Sequence, residues 1–172
     1  GSVMGSKNLK SIVVKKPKLK KIFQTDDNGH EALKRYIWQI KNSPHYQDFK
    51  KHGGAGYVKW ADDLGILATH NYRENTFEAA EQIDGKNLEK NITRSRGCYG
   101  CPVRCKAELE FHEGKLKGTK ALRPEFEPML ALGSKCGLTD LDTLVYLDNL
   151  CSRLGMDSIS AGSAIAFAMD LF

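Results

Sequence analysis
Most apolar positions in the chain recur at a helical period, with one early exception. Residues 8–16 (Asn-Leu-Lys-Ser-Ile-Val-Val-Lys-Lys) have a β-branched centre with charged ends, which predicts a strand that Pro17 ends. Helical spacing follows. Asp26, Asp27 and Asn28 supply N-cap chemistry, Leu33, Tyr36, Ile37 and Ile40 make one apolar stripe, and Pro44 stops the helix. Gly53, Gly54 and Gly56 read as a hinge or turn, since the Gly-Lys-Ser/Thr ending of a phosphate loop is missing. Residues 76–84 and 86–93 predict two short helices split at Gly85.

The second half opens with a predicted hairpin, Lys106 to Phe111 against Lys115 to Thr119, turning at Glu113-Gly114. Three helices then close the chain. Pro124 opens the first at a favoured first-turn position. The second places Leu144, Leu147, Cys151 and Leu154 on one face and ends at Gly155. The third begins near Ser160, and its small residues, Ala161 and Gly162 among them, allow another helix to come close. The predicted fold is mainly α, with a short N-terminal strand and a small hairpin.

Composition narrows the class. The chain has 172 residues, 41% hydrophobic and 27% charged, which is ordinary for a globular domain. No apolar run approaches the roughly 18 residues of a membrane helix. The net charge of +5 is local, because residues 7–21 hold seven lysines and no acid while the remainder is near balance. No general nucleic-acid surface is implied. Gly1 to Lys10 is polar, without the apolar core of a secretory leader, so a cytoplasmic location is expected. Ser11 to Val14 is a strand without an evident partner, and the apolar helical pattern reaches Phe172 without a stop signal; both suggest a segment of a longer polypeptide.

Cysteine carries the chemistry. Five are present, and Cys98, Cys101 and Cys105 follow the spacing C-x2-C-x3-C. Three thiolates so close on one loop are expected to face a common point, suiting iron–sulfur or zinc ligation. Gly97 and Gly100 let the backbone turn, and Arg96 and Arg104 offset anionic charge. No fourth ligand stands at zinc-finger spacing; His112 is seven residues on, across a predicted strand. Cys136 and Cys151 sit in helical patterns and read as small buried apolar residues.

The ordered motifs resemble the tungsten-containing aldehyde ferredoxin oxidoreductase family. They are Val3-Met-Gly-Ser-Lys-Asn-Leu-Lys10, Asn71-Tyr-Arg73 with Phe77-Glu-Ala-Ala-Glu-Gln-Ile-Asp-Gly85, the cysteine segment 98–105, Pro124-Glu-Phe-Glu127, and Leu150-Cys-Ser-Arg-Leu-Gly-Met-Asp157. The resemblance covers nearly the whole chain. It implies that residues 1–20 end an N-terminal pterin-binding domain and that residues 21–172 form a helical domain carrying the cysteine loop.

It further implies a cytoplasmic, anaerobic redox enzyme that oxidises aldehydes, small carbonyl substrates, to carboxylic acids and passes electrons to ferredoxin or another electron-transfer protein. Aromatic-ring reduction, and an iron–sulfur or zinc module without its own active site, stand as alternatives. By resemblance, Cys98, Cys101 and Cys105 are three ligands of a four-iron four-sulfur cluster whose fourth cysteine lies elsewhere. A tungsten (or molybdenum) bis-pterin is held mainly by other parts of a parent enzyme, a homodimer by expectation. Glu127 aligns with a glutamate beside the metal, where it accepts a proton. Ser152, Gly155, Met156 and Asp157 match the pterin-binding Asp-x-x-Gly-Leu-Asp, with Ser152 and Met156 departing from the pattern. A helix C-cap followed by an N-cap accounts equally for Gly155 and Asp157. His70 stands where the family has arginine or another polar residue and reads as an ordinary loop histidine.

Overall fold
Local capping sets the longest helices. The computed structural model describes residues 2–15 and 26–172. After the short helix α1 (Ser2–Ser6), α2 (Asp27–Lys41) starts where the Asp26 carboxylate accepts from the Gly29 N–H at 2.8 Å. Then come α3 (Tyr46–His52), a 3-10 turn at Gly54–Tyr57, α4 (Val58–Asp63) and α5 (Ala80–Ile83). A 3-10 segment, Gly85–Asn91, leads into a small sheet of β1 (Ile92–Arg96), β2 (Lys106–Glu110) and β3 (Lys120–Leu122), antiparallel in that order. The short helix α6 (Phe126–Pro128) continues through a π turn, Met129–Gly133, and a 3-10 turn, Ser134–Cys136. Two longer helices, α7 (Leu141–Leu154) and α8 (Ser158–Leu171), complete the fold. The architecture is mainly α, as expected.

α7 is the shared wall of two cores. Leu144, fully buried, packs with Val58, Leu67, Ile83, Met129 and Leu132. Its neighbour Val145, turned about 100° round the helix, packs with Leu88, Leu109, Phe111 and Leu116 beneath the sheet. The predicted apolar face of α7 thus enters the core at Leu144 and leaves it by Leu154, which is exposed. The expected close approach of α8 is realised at Gly162, where an added Cβ would stand 2.4 Å from the Ala131 carbonyl oxygen.

Several expectations are corrected. Residues 9–15 adopt no strand, and Ile12, Val13 and Val14 are exposed; β propensity without a hydrogen-bonding neighbour makes no sheet. Residue 16 and Pro17 lie outside the described residues. The 86–93 helix is a 3-10 segment ending in β1, because the backbone from Ile92 onward bonds across to β2. The 76–84 helix shrinks to α5. The second hairpin arm begins at Lys120 rather than Lys115, as residues 111–119 are spent on turns closed by the Gly118 N–H donating to the Phe111 carbonyl. Pro124 precedes α6 instead of opening it. The apolar stripe of α2 gains no buried residue among those described.

Candidate functional site
The cysteines occupy the loop between β1 and β2. Arg96 pairs with Lys106 in the antiparallel register, so residues 97–105 leave and return at adjacent points. Two turns shape the loop. The Cys101 N–H donates to the Cys98 carbonyl at 3.1 Å, with Gly100 at φ +72°. Arg104 takes φ +58°, uncommon for a residue with a side chain, and is fixed from both sides. Ser95 Oγ donates to the Arg104 carbonyl at 3.1 Å, and the Arg104 guanidinium donates to the Ser95 carbonyl at 3.2 Å. Gly97 is required there, since a Cβ would meet Arg104 Cα at 2.9 Å.

Distant elements anchor this loop. Tyr46 of α3 donates its hydroxyl to the Pro102 carbonyl at 3.2 Å. Arg123, buried just after β3, donates to the Lys51 carbonyl at 2.7 Å and to the Cys105 carbonyl. The clamp explains Gly53, whose Cβ would strike both the Arg123 guanidinium and the Cys105 carbonyl oxygen. The triple-glycine segment is therefore a packed turn, the second of the two expected readings, and not a hinge.

Cys98 is exposed at the loop, and Cys101 and Cys105 are half-buried. Burial, then the charge of Glu125, pushes the Cys105 thiol up. Arg94, Arg96 and Arg104 surround Cys98 and Cys101 in a hollow of about 340 Å³. Among the described residues, no three cysteine, histidine or carboxylate groups gather round one point. The shared loop is present, with Cys98 and Cys101 lining its hollow. Soft donors in a cationic hollow fit an anionic iron–sulfur cluster, which takes four thiolates and so needs one more than this loop offers.

The second group lies on α6 and at the junction of α7 and α8. Glu127 is exposed on the rim of a groove of about 360 Å³ walled by Phe49, Tyr57, Trp60 and Phe126. Glu125 is committed elsewhere, paired to Lys106 at 2.6 Å. Gly155 caps α7 at φ +71°, and Asp157 caps α8, accepting from the Ser160 N–H at 2.8 Å. Hydrogen bonds from Ser160 hold the Asp157 carboxyl below its ordinary range. Both residues thus have the capping role their sequence permits. Ser152 and Met156 beside them are exposed, and α6 packs on α8, so Glu127 and the 152–157 corner stand on adjoining elements.

Asp148 was missed in the sequence. Burial pushes its carboxyl up, the Ser158 hydroxyl partly offsets this, and Glu125 adds to it. It also acts on the Cys151 thiol. The available signal was its place one helical turn before Ser152. Cys136 is half-buried, its thiol directed at the Ala131 and Gly162 carbonyls, in keeping with a packing role. His70 has φ +43° and stacks edge-on to Phe77.

A helical domain with a three-cysteine hairpin loop is the class that this geometry defines. Residues 31–172 match the family model described as "Aldehyde ferredoxin oxidoreductase, domains 2 & 3". The chain belongs to that family. It is similar to the tungsten-containing aldehyde ferredoxin oxidoreductases of Pyrococcus abyssi (32% identical over 177 residues) and Thermococcus kodakarensis (31% over 175). It also resembles an aliphatic sulfonate oxidoreductase, WOR-like subunit, of Pyrococcus furiosus, at 31% over 176 residues. Each alignment takes in the whole of this chain but only 28%, 28% and 27% of the relative.

Proposed function
We propose that this chain is the cluster-bearing helical part of a tungsten–pterin oxidoreductase that oxidises aldehydes to carboxylic acids. The observation that carries the reading is the cysteine hairpin loop, anchored by Arg123 and ringed by arginines, within a chain of this family. Cys98, Cys101 and Cys105 would hold a four-iron four-sulfur cluster with a fourth ligand from elsewhere, and that cluster would supply one-electron transfer towards ferredoxin. Residues 1–20 are assigned to the end of a preceding pterin-binding domain and residues 21–172 to the helical domain.

This chain's own residues then have defined tasks. Glu127, exposed beside an apolar groove, takes the proton released as an aldehyde hydrate becomes an acid. The aromatic walls limit water around the reacting carbon. Ser152, Gly155, Met156 and Asp157 form the corner that contacts the pterin, with Gly155 admitting close backbone approach. The relative named as an aliphatic sulfonate oxidoreductase widens the candidate substrates from carbonyl compounds to other small organic molecules.

The test is anaerobic reconstitution of the 172-residue chain with iron, sulfide and a small free thiol as fourth ligand. About four irons with matching labile sulfide are expected, and each of Cys98→Ser, Cys101→Ser and Cys105→Ser should lose them while Cys151→Ser retains them. Uptake of zinc with no iron–sulfide binding sinks the reading in favour of a zinc-stabilised module. Aldehyde turnover is not expected from this chain alone.

A further inference from the structure
We propose that a hollow between the 70–73 loop, the Ser134–Cys136 turn and the end of α8 binds a small organic anion of single charge, a carboxylate or a sulfonate. It adds a ligand site to the function proposed above, none of whose residues line this hollow. The hollow measures about 380 Å³, and Asn71, Arg73, Lys135 and Asp170 line it from three separate segments. Lys135 carries the inference. The residue is only 6% exposed. Its ammonium donates to the Ser163 hydroxyl at 2.7 Å and lies 4.3 Å from the centre of the Tyr72 ring. Among the described residues, no carboxylate pairs with it. An ammonium has three donors and a full charge, and one hydroxyl with one ring face leaves that charge uncompensated. The charge is felt inside the hollow: burial pushes the thiol of Cys136, another lining residue, up, and Lys135 opposes that shift.

Arg73 supplies a second cation. Its Nε pairs with Asp170 at 2.5 Å, and Asp170 also accepts from the Asn71 side-chain amide at 3.2 Å. Asp170 thus balances Arg73 and leaves Lys135 over. Glu74, exposed, is the other carboxylate lining the hollow. Two acids at the site favour a ligand with one negative charge over a phosphate with two. Ala166 and Met169 give the hollow an apolar part that suits a short hydrocarbon tail. Backbone strain holds the opposite wall. His70, Asn71 and Tyr72 take φ of +43°, +51° and +67°, three successive left-handed residues without a glycine. Such conformations persist where their surroundings fix them, and they recur at ligand clamps. Here the His70 and Asn71 N–H groups donate to the Ser134 and Lys135 carbonyls, each at 3.1 Å. A packing role accounts for the buried stem of Lys135 but not for its charge, since methionine would fill similar space.

The test follows the backbone amide signals of the isotopically labelled 172-residue chain by nuclear magnetic resonance as propionate is added. Saturable shifts at residues 70–74 and 134–136 are expected, with a Kd on the order of 1 mM for so small a ligand. Propionamide, of the same shape without the charge, and inorganic phosphate are expected to bind about tenfold more weakly or worse. Methanesulfonate tests the other head group, and the tighter of the two names the ligand class. Lys135→Met should weaken propionate binding about tenfold or more, while Lys115→Gln, a cation outside the hollow, leaves it unchanged. Circular dichroism checks that the variants fold. Should Lys135→Met fail to fold, Arg73→Gln and the propionamide comparison carry the same test. Absence of saturable shifts, equal binding of propionate and propionamide, tighter binding of phosphate, or an unchanged Kd in a folded Lys135→Met chain overturns the proposal.

Discussion
The guanidinium of Arg123 donates to the carbonyl oxygen of Cys105 and so ties the end of the cysteine loop to the body of the fold. The same group reaches the Lys51 carbonyl at 2.7 Å. The carboxylate that acts on it, Glu125, is engaged by Lys106. A buried cation that bonds only carbonyls is held by geometry, not by an ion pair. Burial lowers its pKa from the ordinary arginine value. Arg123→Met should cost about 3 kcal/mol, because the Lys51 and Cys105 carbonyls, both part-buried, lose charge-assisted bonds. Arg123→Lys should recover only part of this, since an ammonium lacks the planar fork. Urea unfolding measures both, and equal stability of the Lys variant and the wild type refutes the clamp.

Gly162 makes an independent prediction. A methyl group there would lie 2.4 Å from a backbone oxygen and 2.5 Å from a backbone carbon of Ala131, neither of which can rotate away. Gly162→Ala should destabilise by roughly 1–3 kcal/mol despite the better helix propensity of alanine. Gly118→Ala, where open space surrounds the Cβ position but φ is +80°, separates the two costs: strain alone there, a clash alone at Gly162. Thermal unfolding of both variants tests the distinction.

Asp148 should behave as a carboxyl that favours its protonated form. Its pKa is raised by burial, so the charged form is penalised in the fold and the penalty grows as pH rises through the folded pKa. Asp148→Asn is therefore expected to stabilise the chain at pH 7 and to have little effect in acid. A Tm difference that stays constant or widens as pH falls would disprove it.

Asp157 should behave in the opposite sense. Its pKa is lowered by hydrogen bonds from Ser160 at the start of α8. The stability it lends is present above the unfolded carboxyl value, about 4, and is lost as pH falls through the lower folded value. Asp157→Asn keeps a capping oxygen but no charge. The variant should fall below the wild type at neutral pH and converge with it in strong acid, as measured by helix content during acid titration.

Local chemistry made the chain's punctuation and its redox loop readable. Asp26, Gly155 and Asp157 act within three or four residues of themselves, so the sequence alone determined where α2, α7 and α8 begin or end. The spacing of Cys98, Cys101 and Cys105 likewise put three thiols on one loop without any knowledge of the fold. Tertiary structure decided what depends on distant partners. Ile12 to Val14 have strand-forming side chains but pair with no strand among the described residues, whereas the polar run Thr93 to Arg96 becomes β1 because β2 meets it in register. Arg123 joins α3 at Lys51, 72 residues away, to the loop at Cys105, 18 residues away, a relation no local pattern records. The physical reason is one of range: caps and turns are satisfied by neighbours in the chain, while sheet pairing, burial of a cation and close helix packing exist only once separated segments share the same space.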